Sequence, residues 1–311
     1  MKTKPIVLKT LLSLVLTVAV ERFCHRQTEG FQVHKVLSSF PFDKNYAIPS
    51  ITEEQIDQIN LLLDQKYYFL GSGGQGYSFV SEDGLYVLKL FKIHHMRVPN
   101  YFGKIPCFGP IKIIQEKWAN KCDKKHRKIF ASCKLAYDDF KEETGLLFLH
   151  LNTTQGSHPK VKVINRIGVE VLLPLDNAVF ALQKKADLSA TDITKLLLND
   201  PEALKRHITA FIQHITNRCS KGIEDTDSGL SRNYGYVGNN LIQIDIGSLR
   251  KKHLLQQSSA LEQELKKKTR SLRKILRTKA PPQLELIEAL IEKQLKRDHA
   301  TENGKKTNKP F

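Results

Sequence analysis

The run Gly71-Ser72-Gly73-Gly74-Gln75-Gly76 stands at the head of two stretches that alternate as strands do, and this placement restricts the chain more than any other feature. Tyr77-Ser78-Phe79-Val80 follows, then a break at Glu82-Asp83-Gly84, then Leu85-Tyr86-Val87-Leu88-Lys89-Leu90-Phe91. Two apolar, aromatic and β-branched runs around an Asp-Gly pair predict a β-hairpin. That context excludes two common uses of glycine. A Walker loop needs Lys and then Ser or Thr after its last glycine, and Tyr77 stands at the lysine position. A dinucleotide fingerprint opens a helix whose N-terminus holds the pyrophosphate, whereas these glycines open a strand. What is left is a strand-to-strand tip whose backbone can close over phosphates with no Cβ in the way, while a side chain of the next strand points into the same cleft. Lys89 is placed to be that side chain. Val87, two residues earlier on the same strand face, could cover an adenine ring. A glycine-rich turn with no ligand is the competing reading.

A second hairpin is written into Asn233-Tyr-Gly-Tyr-Val-Gly-Asn-Asn-Leu-Ile-Gln-Ile-Asp245-Ile246-Gly247. Tyr234 to Val237 and Leu241 to Ile244 read as short strands around a Gly-Asn-Asn turn. Asn233 and Asp245 flank them, so the hairpin brings both side chains to one end. An Asn and an Asp converging there supply hard oxygen ligands for Mg²⁺ and leave most coordination positions to phosphate and water.

With these residues in place the chain resembles the protein kinase-like superfamily, which includes eukaryotic-type Ser/Thr kinases and the aminoglycoside and choline phosphotransferases. Gly71, Gly73 and Gly76 match its glycine loop, Lys89 in Tyr-Val-Leu-Lys its strand lysine, Asn233 its metal-binding asparagine, and Asp245-Ile246-Gly247 its Asp-Phe-Gly. Order and spacing agree over roughly residues 65 to 250. The resemblance implies an α+β, bilobal protein kinase-like fold with an antiparallel β-sheet N-lobe plus one helix and a reduced, mostly helical C-lobe. It implies ATP and Mg²⁺ as cofactors, with the loop Gly71, Ser72, Gly73, Gly74, Gln75 and Gly76 over the phosphates and Asn233 and Asp245 as metal ligands. Backbone groups of Gln183 and Lys185, in a hinge Gln183-Lys184-Lys185-Ala186, would hydrogen-bond the adenine.

The departures are as specific as the matches. The family's catalytic loop carries His-Arg-Asp or His-Gly-Asp five residues before the metal Asn. Here the stretch is Gly222-Ile-Glu-Asp225-Thr-Asp227-Ser-Gly-Leu-Ser-Arg-Asn233, with no His or Arg before an Asp. Asp227, six residues before Asn233, is the first candidate for the base that accepts the substrate proton, and Asp225 the second; a solvated acidic loop is the alternative. Gly229 stands where a lysine is often found, so the charge clamp on the phosphoryl group is either missing or supplied by Arg232. The family's glutamate partner of the strand lysine corresponds to Glu142 or Glu143, near the end of a helix that the periodicity predicts over Lys124 to Leu151.

Elsewhere, Val161 to Leu173 and Ala178 to Gln183 read as the last two strands of the small sheet, and Ala190–Leu198 and Pro201–Asn217 as helices, the second with its proline near the start. The stretch 92–123, with Trp118 and three prolines, is an insertion. Leu254, Leu261, Leu265, Leu272 and Leu276 recur at close to heptad intervals and predict a helix over Arg250–Lys279, then, after Pro281-Pro282, a second over Gln283–Arg297. These helices complete the C-lobe or meet a helical partner. The organisation is thus an apolar segment 1–26, an extension 27–64, an N-lobe 65–183, a C-lobe 184–298 and a disordered basic tail 299–311.

At 311 residues with a formal charge of +17, the chain favours acidic partners such as an anionic membrane surface or acidic proteins. No zinc spacing or RNA-binding signature accompanies the charge, which argues against nucleic acid. Five scattered cysteines, an odd number, argue against a disulfide framework. Lys2, Lys4 and Lys9 precede the apolar run Thr10–Val20, as in an export signal or a short anchor. Such a segment points to a membrane-associated or exported protein whose ATP-using domain works where ATP exists, the cytosol or, after export from a bacterium, a host cell; a structural helix is the remaining reading. The expected activity is transfer of the γ-phosphate to a protein Ser/Thr hydroxyl. A pseudokinase scaffold and a small-molecule phosphotransferase are the alternatives.

Overall fold

The glycine-headed hairpin forms where the alternation predicts it. In the computed structural model, which describes residues 3–48, 52–98, 109–188, 193, 195–196, 200–227 and 233–307, β2 (Gly76–Ser81) pairs antiparallel with β3 (Tyr86–Phe91), Ser78 opposite Lys89 and Val80 opposite Val87. Its turn is locally encoded. The Asp83 carboxylate accepts from Ser81 Oγ at 2.6 Å and Leu85 N at 2.9 Å, while Gly84 takes the left-handed conformation at φ 73°.

β1 (Lys66–Ser72) pairs with β2 through a bulge between Phe69 and Gly71. With β4 (Leu146–His150), β5 (Lys160–Ile164), β6 (Glu170–Pro174) and β7 (Phe180–Lys184), a seven-stranded sheet forms in the order β4-β7-β3-β2-β1-β5-β6. The sheet is mixed rather than antiparallel throughout, because β5 lies parallel to β1. A parallel neighbour requires a long crossover, and the chain from Ser72 to Lys160 provides one. The run Val161–Leu173 is two strands, not one: Asn165 Oδ1 accepts from Ile167 N and Val169 N, and Gly168 at φ 83° closes the β5–β6 turn.

Helix α1 (Thr3–Gln27) contains the Thr10–Val20 run, and Leu8, Leu12 and Leu16 are each more than 60% exposed on it. Among the described residues no helix is long and apolar enough to cross a membrane. α2 (Glu53–Leu63) starts with a capping box between Thr52 and Gln55. α3 (Pro110–Asp139) begins inside the stretch 92–123 and stops twelve residues before the expected end at Leu151. Thr144 Oγ1 bonds the Phe140 and Lys141 carbonyls, Gly145 turns left-handed at φ 61°, and the apolar Leu146–His150 continues as β4. Glu142 and Glu143 therefore lie in a 3-10 turn, not on a helix.

Contacts divide the chain into two units, Met1–His126 with His150–Leu182 and Arg127–Leu149 with Gln183–Phe311. In the second unit, α4 (Pro201–Ser220) starts as expected, with Asp200 capping the Ala203 amide and proline in the first turn. β8 (Ile223–Asp225) pairs with β11 (Leu249–Lys251), and β9 (Tyr234–Val237) with β10 (Asn240–Gln243). The single helix expected over Arg250–Lys279 is instead β11, a 3-10 turn at His253–Gln256, α5 (Ser258–Lys268) and α6 (Arg270–Lys279). Leu261, Leu265, Leu272 and Leu276 pack with Leu204, Ile208 and Phe211 of α4, so the leucine face is spent on this unit's own core; Leu254 alone of the heptad set is exposed. α7 (Pro281–Thr307) runs past Arg297 through most of the segment expected to be a disordered tail. The Ala190–Leu198 helix falls mostly outside the described residues, as do Gly229, Arg232 and Cys107. Cys24, Cys122, Cys133 and Cys219 form no disulfide.

Candidate functional site

The six loop residues divide by what the fold asks of them. A Cβ on Gly76 would lie 2.8 Å from the Leu90 carbonyl oxygen, so glycine there is required by the approach of β3. Gly71, Gly73 and Gly74 have no positive φ, and a Cβ on Gly71 or Gly74 would meet nothing within 4 Å. The fold leaves these three positions open, which is the condition for a ligand's close approach to the backbone. Gly76→Ala is expected to lower stability by about 1–3 kcal/mol. Ala at 71, 73 or 74 is expected to change it by no more than about 0.5 kcal/mol. Thermal melts of the four variants without ligand check this separation; equal losses at all four positions would contradict it.

Lys89 is half-buried in mid-strand, with Val87 two residues before it and 7% exposed. The lysine bonded to the loop itself is one the sequence did not single out. Lys92 Nζ donates to Ser72 Oγ at 2.8 Å and to the Gly73 carbonyl at 2.7 Å, and it stands 4.5 Å from the centroid of the Tyr77 ring. The Lys92 amide also donates to the Gln75 carbonyl. Tyr77, the residue that excludes a Walker loop, is the platform for this lysine.

In the second unit the β9–β10 hairpin places Asn233 and Asp245 as its alternation predicts. Tyr234 is opposite Gln243, and Ile244 N donates to the Asn233 carbonyl at 2.8 Å, so the two flanking residues share one end. Asn233 Nδ2 donates to Asp227 Oδ2 at 2.9 Å, which leaves the Asn233 oxygen as the atom available to a cation. Asp245 Oδ1 accepts from Gly247 N at 3.0 Å. Among the described residues no three His, Cys, Asp or Glu side chains group as a metal site. An Asn–Asp pair fits a hard cation that keeps phosphate and water ligands, and no other kind of resident metal.

Asp225 and Asp227 have different surroundings. Asp225 is 1% exposed and its oxygens are occupied: Oδ1 accepts from Ser248 Oγ at 2.6 Å and Asp227 N at 2.9 Å, and Oδ2 from Lys268 Nζ at 3.1 Å. Arg218 Nη1 lies 3.8 Å from the same Oδ2. A carboxylate held this way has no room for a substrate hydroxyl, so Asp225 fixes the loop. Asp227 is half-buried and belongs to the Asn233 pair, while its backbone carbonyl accepts from Lys268. Burial holds the Lys268 ammonium below its usual value against the opposing attraction of Asp225. Arg218 also donates to Glu264 Oε1 at 2.9 Å, which makes a four-charge cluster of Arg218, Asp225, Glu264 and Lys268, each no more than 5% exposed. No His-Arg precedes Asp225 in the sequence; cations from α4 and α5, Arg218 and Lys268, occupy its neighbourhood. No local signal could have found Lys268, which lies 43 residues from Asp225.

Glu143 pairs with Lys221, and Glu142 is exposed. Gln183 belongs to β7, where its Nε2 donates to the Thr144 carbonyl at 2.8 Å and its buried Oε1 has no hydrogen-bond partner among the described residues. Lys185, just beyond the strand, is exposed. Asp187 exchanges backbone hydrogen bonds with Tyr236 at 2.8 and 2.9 Å, tying the segment after β7 to the β9–β10 hairpin.

No family model matches this chain, and no curated protein matches it.

Proposed function

We propose that this chain is a divergent kinase-like, two-lobed protein that binds ATP with Mg²⁺ and transfers the γ-phosphate to a Ser or Thr hydroxyl of a protein. The observation that carries the reading is the β9–β10 hairpin, with Asn233 and Asp245 at one end and Asp227 hydrogen-bonded to Asn233. Three open glycines at the head of a second hairpin, where Lys92 is bonded to the loop, support a phosphate site in the other unit.

Mg²⁺ held by Asn233 and Asp245 would neutralise phosphate charge. Lys89 orients the phosphates, and Asp227 accepts the proton of the attacking hydroxyl. As the new O–P bond forms, the β–γ bridging O–P bond breaks and ADP leaves, so the protein contributes position and charge rather than covalent chemistry. A pseudokinase is the second reading, favoured by the engagement of Glu143 with Lys221 and by the lack of a His or Arg before Asp225 and Asp227.

Titration of the full chain with ATP and Mg²⁺, followed by a labelled-phosphate assay on a generic protein substrate, tests both. Asp245→Asn is expected to abolish Mg²⁺-dependent ATP binding with the fold retained. Asp227→Ala is expected to reduce phosphoryl transfer by a factor of about 10²–10⁴ with ATP affinity kept. A wild-type thermal midpoint unmoved by millimolar ATP sinks nucleotide binding altogether; ATP binding without turnover leaves the pseudokinase.

A further inference from the structure

The Lys92 ammonium has three N–H donors, and two are given to Ser72 Oγ and the Gly73 carbonyl. The third donates to no described residue. Around it the charges are mostly of one sign. Lys35 and Lys125 both act on Lys92, as they do on His95, which itself bonds the Gly74 backbone. Glu29 is the one acid acting on Lys92, and it is engaged by Arg166 Nη1 at 2.9 Å. Burial, followed by Lys35, holds the Lys92 ammonium below its ordinary value. Cations gathered around a half-buried ammonium repel one another, and an arriving anion relieves that repulsion.

The lysine is also supported from behind. Tyr77, whose ring lies under Nζ, is buried, and its hydroxyl, pushed up to about 12 by burial, donates to the Gly30 carbonyl at 2.7 Å. Lys35 Nζ donates to the same carbonyl at 2.9 Å. Phe31 packs edge-on against Tyr77 and Phe79 with centroids 5.2 and 5.0 Å away. The chain just after α1 therefore wedges the platform on which Lys92 rests, and a supported cation loses little freedom when it meets a ligand.

We infer that Lys92 is an anion-binding residue of the glycine loop, presenting its ammonium to the polyphosphate of the ligand that the loop receives. The inference rests on the nucleotide reading and deepens it: Lys92, bonded to the loop and carried by Tyr77 and the Gly30–Phe31 segment, meets the phosphates from the Tyr77 face of the hairpin, whereas Lys89, paired with Ser78, belongs to the other face.

The test titrates the full chain separately with ATP and Mg²⁺, inorganic tripolyphosphate, and adenosine. Lys92→Met is expected to weaken ATP and tripolyphosphate by about tenfold or more while adenosine binds as before, and Lys92→Arg to retain most of the affinity, since a charge-assisted hydrogen bond is lost in one and kept in the other. Unchanged ATP and tripolyphosphate affinity in Lys92→Met overturns the inference and leaves nucleotide binding standing. Equal weakening of adenosine overturns it too, by showing a structural role only. Lys92-dependent binding of tripolyphosphate without ATP binding upholds the anion site and sinks the nucleotide reading; binding of neither by the wild type sinks both. Acetylation footprinting of the wild type needs no variant to fold: protection of Lys92 by tripolyphosphate supports the assignment, and unaltered modification overturns it.

Discussion

Arg218→Ala is expected to cost about 3–5 kcal/mol, the range for breaking a buried ion pair by removing one partner. Arg218 is wholly buried on α4, with Glu264 Oε1 at 2.9 Å, the Tyr234 hydroxyl at 3.3 Å and Asp225 Oδ2 at 3.8 Å. Without its guanidinium, Asp225 keeps only Lys268, and Glu264 is left with the exposed Lys267, 3.6 Å from its Oε2. A loss of that size is a large share of the roughly 5–15 kcal/mol that holds a typical domain together. Urea denaturation of the full chain measures it. Arg218→Met with Glu264→Leu is expected to recover part of the loss, because removing both charges leaves Lys268 to balance Asp225. A loss below about 1 kcal/mol in Arg218→Ala would show that the cluster contributes no more than a surface pair. The same variant bears on the site, since Asp225 anchors the Asp227 backbone through an N–H to Oδ1 bond of 2.9 Å.

Acid is expected to unfold the protein well above the carboxylate range. His150, His207 and His214 are each 5% exposed, and burial pushes them down to about 4, 4 and 3. In the unfolded chain each titrates near 6.5. As pH falls below that value the unfolded state takes up protons that the folded state refuses, so stability declines from about pH 6.5 toward the folded values. Each histidine accounts for about 3 kcal/mol over that interval. Asp176 and Glu224, whose carboxyls the fold holds below their ordinary values, add their loss only at lower pH, so the interval between pH 6.5 and 4.5 isolates the histidines. Urea midpoints across that interval should fall steeply, and His214→Leu should flatten the slope by about one proton. Stability independent of pH from 7 to 4.5 would mean that these imidazoles take up protons equally in both states.

How much of the molecule was legible in the sequence varies with the range of the interactions involved. The β2–β3 turn was legible because Asp83 and Gly84 make it from their own side chain and backbone freedom. The start of α4 was legible because Asp200 and Pro201 cap it locally. The convergence of Asn233 and Asp245 followed from period-two alternation on either side of a turn, and that pairing formed. For the candidate site this sufficed to place the open glycines, Lys89, and the Asn–Asp end of the second hairpin.

The helix expected through Glu142 and Glu143 failed for a different reason. Its apolar spacing was compatible with a helix, but Gly145 approaches β10 so closely that a Cβ would lie 2.7 Å from Ile242 Cδ1, and the next five residues are claimed by the sheet. Ile242 is nearly one hundred residues away, beyond any local window. The heptad leucines likewise suited a long helix until β11 and the core around α4 divided it.

By itself, then, the sequence determined the two hairpins, the capped helix and the residue types at their ends, since alternation, turn chemistry and caps act over a few residues. Tertiary structure alone decided that β5 runs parallel to β1, that Asp225 is a buried anchor while Asp227 faces Asn233, and that Lys92 bonds the glycine loop. Those outcomes depend on burial and on charges such as Arg218, Glu264 and Lys268, which become neighbours only when helices far apart in the chain pack together.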